Sequence, residues 1–189
     1  MLAVLTGIPG TGKTTTARKA LEMLKTENII YELITYGDVM FDIAKTLGAV
    51  KDRDEMRKLD PAKQKEIQKE AAKKIAAMAG TKKVLLDTHC TIATPRGYLP
   101  GLPQWVLTDL KPNAFILVEA KPEDIASRRQ TDATRQRDAE MTEEIRTHQE
   151  LNRAIAMSYS VFTGGTVKII QNPQGKMEEA AKNMANALR

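Results

Sequence analysis

The chain has 189 residues, of which 42% are apolar, and its 29 basic and 24 acidic side chains give a formal net charge of +5. This length and apolar content suit one compact domain with a buried core, so we expect a single domain over residues 1–189. The apolar runs are too short to cross a bilayer, and the apolar N-terminal stretch lacks the basic flank and cleavage site of a secretory signal. We therefore expect a soluble, intracellular protein.

The rare residue types restrict the possible ligands. The single cysteine, Cys90, excludes an internal disulfide or thiolate cluster and suits a reducing compartment, and two histidines leave little material for a metal cage. The positive charge suits anionic ligands, whether nucleotides or nucleic acids. Only 4% of residues are aromatic, and no basic run is interleaved with Phe or Tyr to form a stacking platform. We do not expect nucleic acid as the main partner.

Hydrophobic patterning predicts strands and helices that alternate along the chain. The predicted strands are short apolar runs at residues 1–6, 29–35, 84–87, 114–118 and 166–170. The predicted helices lie at residues 13–25, 39–47, 61–80, 105–110, from 122 onward, 143–161 and 177–188. Tyr36-Gly37-Asp38 is expected to break the pattern between the second strand and its helix, and residues 88–103, rich in Pro and Gly, to form a loop.

Strands that alternate with helices are typical of a doubly wound sheet. We expect an α/β fold with three αβα layers, in which a five-stranded parallel sheet carries helices on both faces. Ligands of such sheets bind beyond the carboxyl ends of the strands. The polar motifs of this sequence lie at those ends.

The first predicted strand leads into Gly7-Ile8-Pro9-Gly10-Thr11-Gly12-Lys13-Thr14, which matches G-x-x-x-x-G-K-[ST] and predicts a P-loop NTPase fold. Its glycines let backbone N–H groups converge on a polyphosphate, and the next helix adds its positive N-terminus. Lys13 is expected to reach the β and γ phosphates of ATP, and the hydroxyl of Thr15 an α-phosphate oxygen. The alternative is a Gly-rich turn that only caps a helix. The flanking strand and helix favour nucleotide binding.

Two oxygen-bearing side chains are candidates to hold Mg²⁺. The Thr14 hydroxyl is expected to ligate the ion directly, and Asp87, which ends the third strand, to hold one of its water molecules. The alternative for Asp87 is a carboxylate that caps the next turn. The P-loop favours the metal role.

A cluster of arginines lies in an eleven-residue stretch without a large aliphatic side chain, so it cannot be core. We expect Arg129, Arg135 and Arg137, together with Arg128, to lie on a short lid over about residues 128–140. Phosphoryl transfer spreads negative charge over the equatorial oxygens, which guanidinium groups stabilise. The alternative is a solvated basic loop.

A second, smaller basic group contains Arg53 and Arg57 and follows the second strand. Small P-loop kinases keep their acceptor on this side, so we predict that Arg57 binds the acceptor phosphate. The alternative is that these arginines form ion pairs with Asp54 and Glu55.

Six segments spread over nearly the whole chain resemble the archaeal-type adenylate kinase family. They are residues 7–15, Tyr36-Gly37-Asp38, residues 53–59, Asp87-Thr88-His89, residues 94–103 (TPRGYLPGLP) and residues 132–138. The resemblance implies a nucleoside monophosphate kinase fold and the reversible conversion of ATP and AMP into two ADP. It also implies Mg²⁺ dependence, a cytoplasmic location and a trimeric assembly.

The resemblance also assigns the two nucleotide sites. Asp87-Thr88-His89 stands where bacterial and eukaryotic adenylate kinases carry Asp-Gly-Phe-Pro-Arg, so the AMP-binding arginine of that segment has no counterpart, and Arg57 and Arg96 are the candidates to replace it. An acceptor subregion over about residues 37–80 is expected. The expected AMP site comprises Asp38, Arg57, His89 as a positioning residue, Tyr98 with Leu99, and Gly101. The ATP site comprises residues 7–15 and Asn172, the first residue of a segment to Gly175 expected to hold the adenine.

Two other functions stay open at this point. A phosphate acceptor is already anionic and needs no general base, whereas a kinase for a sugar, acid or nucleoside hydroxyl needs one, and Asp38 is suitably placed to serve. A nucleotide-switched, RNA-associated module would use the P-loop for binding and the basic surface for a partner.

Overall fold

The computed structural model describes residues 1–131 and 142–189. Its strands are β1 (Leu2–Thr6), β2 (Tyr31–Thr35), β3 (Lys83–Asp87), β4 (Thr91–Thr94), β5 (Gly97–Pro100), β6 (Ala114–Glu119) and β7 (Thr166–Gln171). Its α-helices are α1 (Lys13–Thr26), α2 (Tyr36–Thr46), α3 (Pro61–Thr81), α4 (Gln104–Leu110), α5 (Pro122–Thr131), α6 (Thr142–Thr163) and α7 (Met177–Leu188), and a 3-10 helix covers Asp54–Lys58. In these ranges, no helix is both long and apolar enough to cross a bilayer.

The central sheet has five parallel strands in the order β2-β3-β1-β6-β7. β1 lies in the middle, is buried along its whole length and is apolar except for Thr6, as expected of a strand that is covered on both faces. Leu5 pairs with Asp87 of β3, and Thr6 pairs with Leu117 of β6. The turn after β1 therefore emerges at the centre of the carboxyl edge, beside the last residue of β3.

Helices cover both faces of the sheet because alternate strand residues point to opposite sides. Val4, Leu86 and Phe115 belong to a buried cluster with residues of α2, α3, α4 and α6. Leu5 and Ile116 belong to a second cluster with residues of α1 and α7. Each such buried side chain stabilises the fold by about 1.5–3 kcal/mol. The predicted three-layer α/β fold with its five-stranded parallel sheet is confirmed.

Two local predictions are wrong. Part of the predicted loop over residues 88–103 is an antiparallel hairpin of β4 and β5, which apolar patterning did not reveal because Thr91 is its one buried residue. The expected break at Tyr36-Gly37-Asp38 is the first turn of α2 instead. Tyr36 is buried there and donates its hydroxyl to the Gln68 carbonyl of α3 at 3.0 Å, so a tertiary contact fixes the start of α2.

Candidate active site

Buried side-chain contacts hold the P-loop between β1 and α1 in place. The Ile8 side chain is buried in a small apolar cluster with Ile125 and Ile145, so only its backbone is available to a ligand. Thr11 is also buried, and its hydroxyl donates to the Ile8 carbonyl at 3.0 Å. These contacts fix a loop whose exposed atoms are mainly backbone.

The end of the loop requires glycine. Gly12 has φ 80° in the left-handed region, and a Cβ there would lie 2.6 Å from Nδ2 of Asn172. No side chain of the described residues caps the N-terminus of α1, which begins at Lys13. The first turn of α1 therefore offers backbone N–H groups and a positive dipole end to an anion, as the P-loop motif predicts.

Lys13, Thr14 and Asp87 form a compact polar group at the carboxyl edge. Nζ of Lys13 lies 2.6 Å from Oδ1 of Asp87, and these side chains are only 15% and 10% exposed. The Thr14 hydroxyl donates to Oδ2 of Asp87 at 3.3 Å. The hydroxyl and carboxylate predicted to hold Mg²⁺ are thus neighbours, and both are hard oxygen ligands of the kind that Mg²⁺ prefers.

The other flank of the P-loop contacts α5 and the segment after β7. The Asn172 side chain donates from Nδ2 to the Thr11 carbonyl at 2.8 Å, and the backbone carbonyl of Asn172 accepts from Nη2 of Arg128 at 3.0 Å. Arg129 donates from Nε to the Pro9 carbonyl at 2.9 Å. A pocket of about 230 Å³ opens here, lined by Gly12, Thr15, Arg128, Asn172, Pro173, Gln174, Gly175 and Met177. The structure therefore brings Arg129, on α5, and Asn172 to the P-loop, whereas Arg135 and Arg137 lie outside the described residues.

A larger cleft of about 480 Å³ opens on the side of α2. Lys13, Thr14 and Asp87 line this cleft together with Asp38 and Arg53. Further lining residues come from the segment around the hairpin and include Thr88, His89, Ile92 and Gly101. The structure thus brings three predicted AMP-site residues, Asp38, His89 and Gly101, to the cleft that Lys13 also faces.

The structure separates the two arginines of the second basic group. Arg53 lines the cleft, and its guanidinium forms an ion pair with the Asp38 carboxylate. Arg57 lies on the 3-10 helix, is exposed and is not among the residues that line the cleft. Both arginines stand in one charged run, so residue type alone could not single out Arg53.

Gly101 and Tyr98 have structural roles beside the predicted ones. A Cβ on Gly101 would lie 1.8 Å from the His89 carbonyl oxygen, so the close approach of these backbones requires glycine. Tyr98 lies outside the lining of the cleft, and its ring packs against the His148 ring with centroids 5.0 Å apart. His148, on α6, has no place in the sequence-based site, because no motif of the sequence pointed to it.

Comparison with known proteins first defines the class. A family model described as AAA domain matches residues 6–146. The solved structure of shikimate kinase from Acinetobacter baumannii in complex with shikimate has a similar fold, with a TM-score of 0.58, 16% identity and coverage of 99% of this chain and 92% of that chain. This fold, combined with the P-loop motif, is that of the P-loop kinases.

Full-length relatives then define the family. An adenylate kinase of Methanocaldococcus jannaschii is 50% identical over 188 residues, covering 100% of this chain and 98% of that protein. An adenylate kinase of Methanococcus aeolicus is 48% identical over 188 residues, with 100% and 97% covered, and one of Methanopyrus kandleri is 50% identical over 188 residues, with 98% and 96% covered. The chain belongs to the adenylate kinase family, and the resemblance drawn from its motifs is confirmed.

Cys90, the neighbour in sequence of the cleft residue His89, is buried and should be chemically silent in the folded protein. It is 1% exposed, and burial raises the pKa of its thiol to about 12. A hydrogen bond with Thr6 has a smaller effect, which lowers the pKa. Since the thiolate is the reactive form, we expect a disulfide reagent at pH 8 to leave the native chain unmodified and to react fully once denaturant is added. Absorbance of the released chromophore measures this. Fast stoichiometric labelling of the native protein would contradict the burial of Cys90.

Proposed function

We propose that this member of the adenylate kinase family transfers a phosphoryl group reversibly from Mg-ATP to AMP, giving two ADP, in the cleft between the P-loop and α2. Membership of the family makes the chain a phosphotransferase with a phosphate group as acceptor. The observation that supports this location is that Lys13 of the P-loop and Arg53 of the acceptor side line one cleft. A donor and an acceptor phosphate bound there would face each other.

The donor site comprises the P-loop and the segment after β7. Residues 7–15 bind the ATP phosphates, mainly with backbone N–H groups, and Lys13 exchanges its contact with Asp87 for phosphate oxygens. Arg128, Asn172 and the residues to Gly175 surround the pocket beside Thr15, where we place the adenine. Arg129, which contacts the P-loop, is a catalytic arginine in this proposal, because a guanidinium at that place offsets charge on the transferring group.

The metal in this proposal is Mg²⁺, held by the Thr14 hydroxyl and, through water, by Asp87. Within residues 1–131 and 142–189, no group of three or more His, Cys, Asp and Glu side chains could hold a metal ion. This supports an ion that takes most of its ligands from phosphate and water, as Mg²⁺ does in nucleotide sites. When bound, it neutralises phosphate charge.

The acceptor site comprises the cleft wall that faces Lys13. Arg53 binds the AMP phosphate within the cleft, and Arg57 and Tyr98, which lie outside its lining, approach the phosphate and the base when AMP binds. Asp38 and His89 position the nucleotide, and Gly101 borders the base. The AMP oxygen that attacks is already anionic, so catalysis needs positioning and charge neutralisation and no general base. The carboxylate that a hydroxyl kinase would use, Asp38, is engaged by Arg53, which supports a phosphate acceptor over the hydroxyl alternative.

The remaining parts of the proposal concern the lid and the assembly. Arg135 and Arg137, from the lid over about residues 128–140, close over the transferring phosphoryl group. The chain acts in the cytoplasm as a trimer that associates through the outer face of α6. Met157, Val161 and Phe162 are 52%, 84% and 49% exposed there, and exposed apolar side chains on one helix are typical of an interface.

Removing the P-loop amine tests the donor site. We expect Lys13→Met to lower kcat by about a thousandfold or more, because a preorganised charge on the transferring group is lost, while the circular dichroism spectrum stays unchanged. Lys19→Met is the matched control, since Lys19 lies on the same helix and pairs with the exposed carboxylates of Glu22 and Glu178. Turnover of Lys13→Met close to that of the control would refute the donor assignment.

The two acceptor arginines are tested separately. We expect Arg53→Ala and Arg57→Ala each to raise the KM for AMP by roughly 10- to 100-fold with little change for ATP, since each loses a charged hydrogen bond to the acceptor phosphate. Initial-rate kinetics with both substrates varied measures this, and Lys58→Ala, on the 3-10 helix that carries Arg57, is the control. An equal loss for ATP and AMP would move the residue concerned out of the acceptor site.

A charge on the apolar face of α6 tests the assembly. We expect the unaltered chain to sediment at three times the chain mass and Val161→Glu to shift it toward the monomer, because a carboxylate would be buried without a partner. Ile30→Glu, at another apolar position that is 71% exposed, should leave the trimer intact. A monomeric unaltered chain would contradict the proposed trimer but would not bear on the proposed activity.

A further inference from the structure

The buried face of α6 carries polar side chains where a core-facing helix normally carries apolar ones. His148, Gln149 and Asn152 are 5%, 7% and 4% exposed. Positions 148, 149 and 152 share one face of the helix because side chains three and four residues apart are neighbours. Burying polar groups is costly unless they form hydrogen bonds, so the partners of these residues are informative.

Two of these side chains meet at Thr91 of the hairpin, which is itself buried. The Thr91 hydroxyl donates to Oδ1 of Asn152 at 2.6 Å and lies 3.0 Å from Nε2 of His148. A hydroxyl has one hydrogen, and since Thr91 gives it to Asn152, the hydroxyl accepts from a protonated Nε2 of His148. The ring of Tyr98, on the other hairpin strand, packs against the His148 ring. Both strands of the hairpin are therefore tied to α6.

Gln149 points to the opposite flank of the site. Its Nε2 donates to the Ala120 carbonyl at 3.0 Å, and its Oε1 accepts from the Ala120 N–H at 3.2 Å. Ala120 follows β6 directly and precedes α5, the helix that carries Arg128 and Arg129. A side-chain amide that pairs with both backbone groups of one residue fixes the direction in which α5 leaves the sheet.

The anchored hairpin residue is also a neighbour of the cleft. Ile92, the next residue along β4, lines the cleft, and so does Gly101, which follows Pro100, the β5 partner of Thr91. A shift of Thr91 would therefore move a wall of the acceptor cleft. A shift of Ala120 would move α5 and its contacts with the P-loop.

We propose that the inner face of α6 sets the two substrate sites independently: His148 and Asn152 position the acceptor wall through Thr91, and Gln149 positions the donor flank through Ala120. These are positioning residues, which act through the hairpin and α5. The inference rests on the proposed assignment of the cleft to AMP. One helix would then hold the acceptor wall and the arginine-bearing donor flank at a fixed separation.

The test removes each anchor at nearly constant shape. Thr91→Val replaces the hydroxyl with a methyl group, and we expect it to raise the KM for AMP about fivefold or more with the KM for ATP within about twofold. Gln149→Leu should show the reverse, with a raised KM for ATP and that for AMP within about twofold. Thr91→Ser should recover most of the loss because it restores the hydroxyl. Thr108→Val, at an exposed position of α4, is the matched control and should match the unaltered chain.

Several results would overturn the inference. They are equal effects of Thr91→Val on both substrates, a lower melting temperature with both KM values unchanged, or a Thr91→Ser variant no better than Thr91→Val. Should Thr91→Val not fold at the assay temperature, Asn152→Ala is expected to raise the KM for AMP selectively. Failure of both to fold would show that the network serves stability alone and would also overturn it.

The arginine variants separate this inference from the function on which it rests. If Arg53→Ala and Arg57→Ala weaken AMP selectively while Thr91→Val does not, the positioning role is wrong and the acceptor site stands. If neither arginine variant affects AMP, the assignment of the cleft is wrong, and the inference falls with it.

Discussion

The contact of Lys13 and Thr14 with Asp87 at the carboxyl edge is the interaction on which the site depends. It exists because β1 and β3 are parallel neighbours in the sheet. Their register pairs Asp87, the last residue of β3, with Leu5, the residue before the end of β1. The P-loop that follows therefore delivers an amine and a hydroxyl to a carboxylate. The Lys13 and Asp87 side chains are largely shielded from water, whereas Thr14 is exposed. A charged group shielded in this way acts more strongly on a phosphate than one in bulk solvent.

The rest of the chain surrounds that contact from two sides. α5 and the segment after β7 contact the outer side of the P-loop through Arg128, Arg129 and Asn172. α2 and the hairpin border the same cleft, which Asp38, Arg53 and Ile92 line together with Lys13. Backbone amides, fixed cations and a bound Mg²⁺ would together supply the alignment and charge neutralisation that phosphoryl transfer between two anionic substrates requires.

Much of the fold and part of the site could be predicted from the sequence, because local patterns encode them. The five apolar runs and the P-loop are patterns of residues that are close together in the chain, so the sequence alone reveals them. The motifs around them identified the family. The β4–β5 hairpin escaped prediction because its one buried residue, Thr91, is held by polar contacts with α6, and the start of α2 escaped because Tyr36 is fixed by α3. Arg53 could not be separated from Arg57 for the same reason: which side chain faces a cleft is decided by tertiary packing.

The central claim is that one cleft holds the donor and acceptor phosphates between the P-loop and the wall formed by α2 and the hairpin. A crystal structure with a bisubstrate dinucleotide, in which a polyphosphate joins two adenosines, tests it most directly. The account predicts that the polyphosphate runs from the backbone of residues 7–15 past Lys13 to Arg53, with one adenosine beside Asn172 and the other near Gly101. A polyphosphate that avoids the P-loop, or a second adenosine bound away from Arg53, would contradict it.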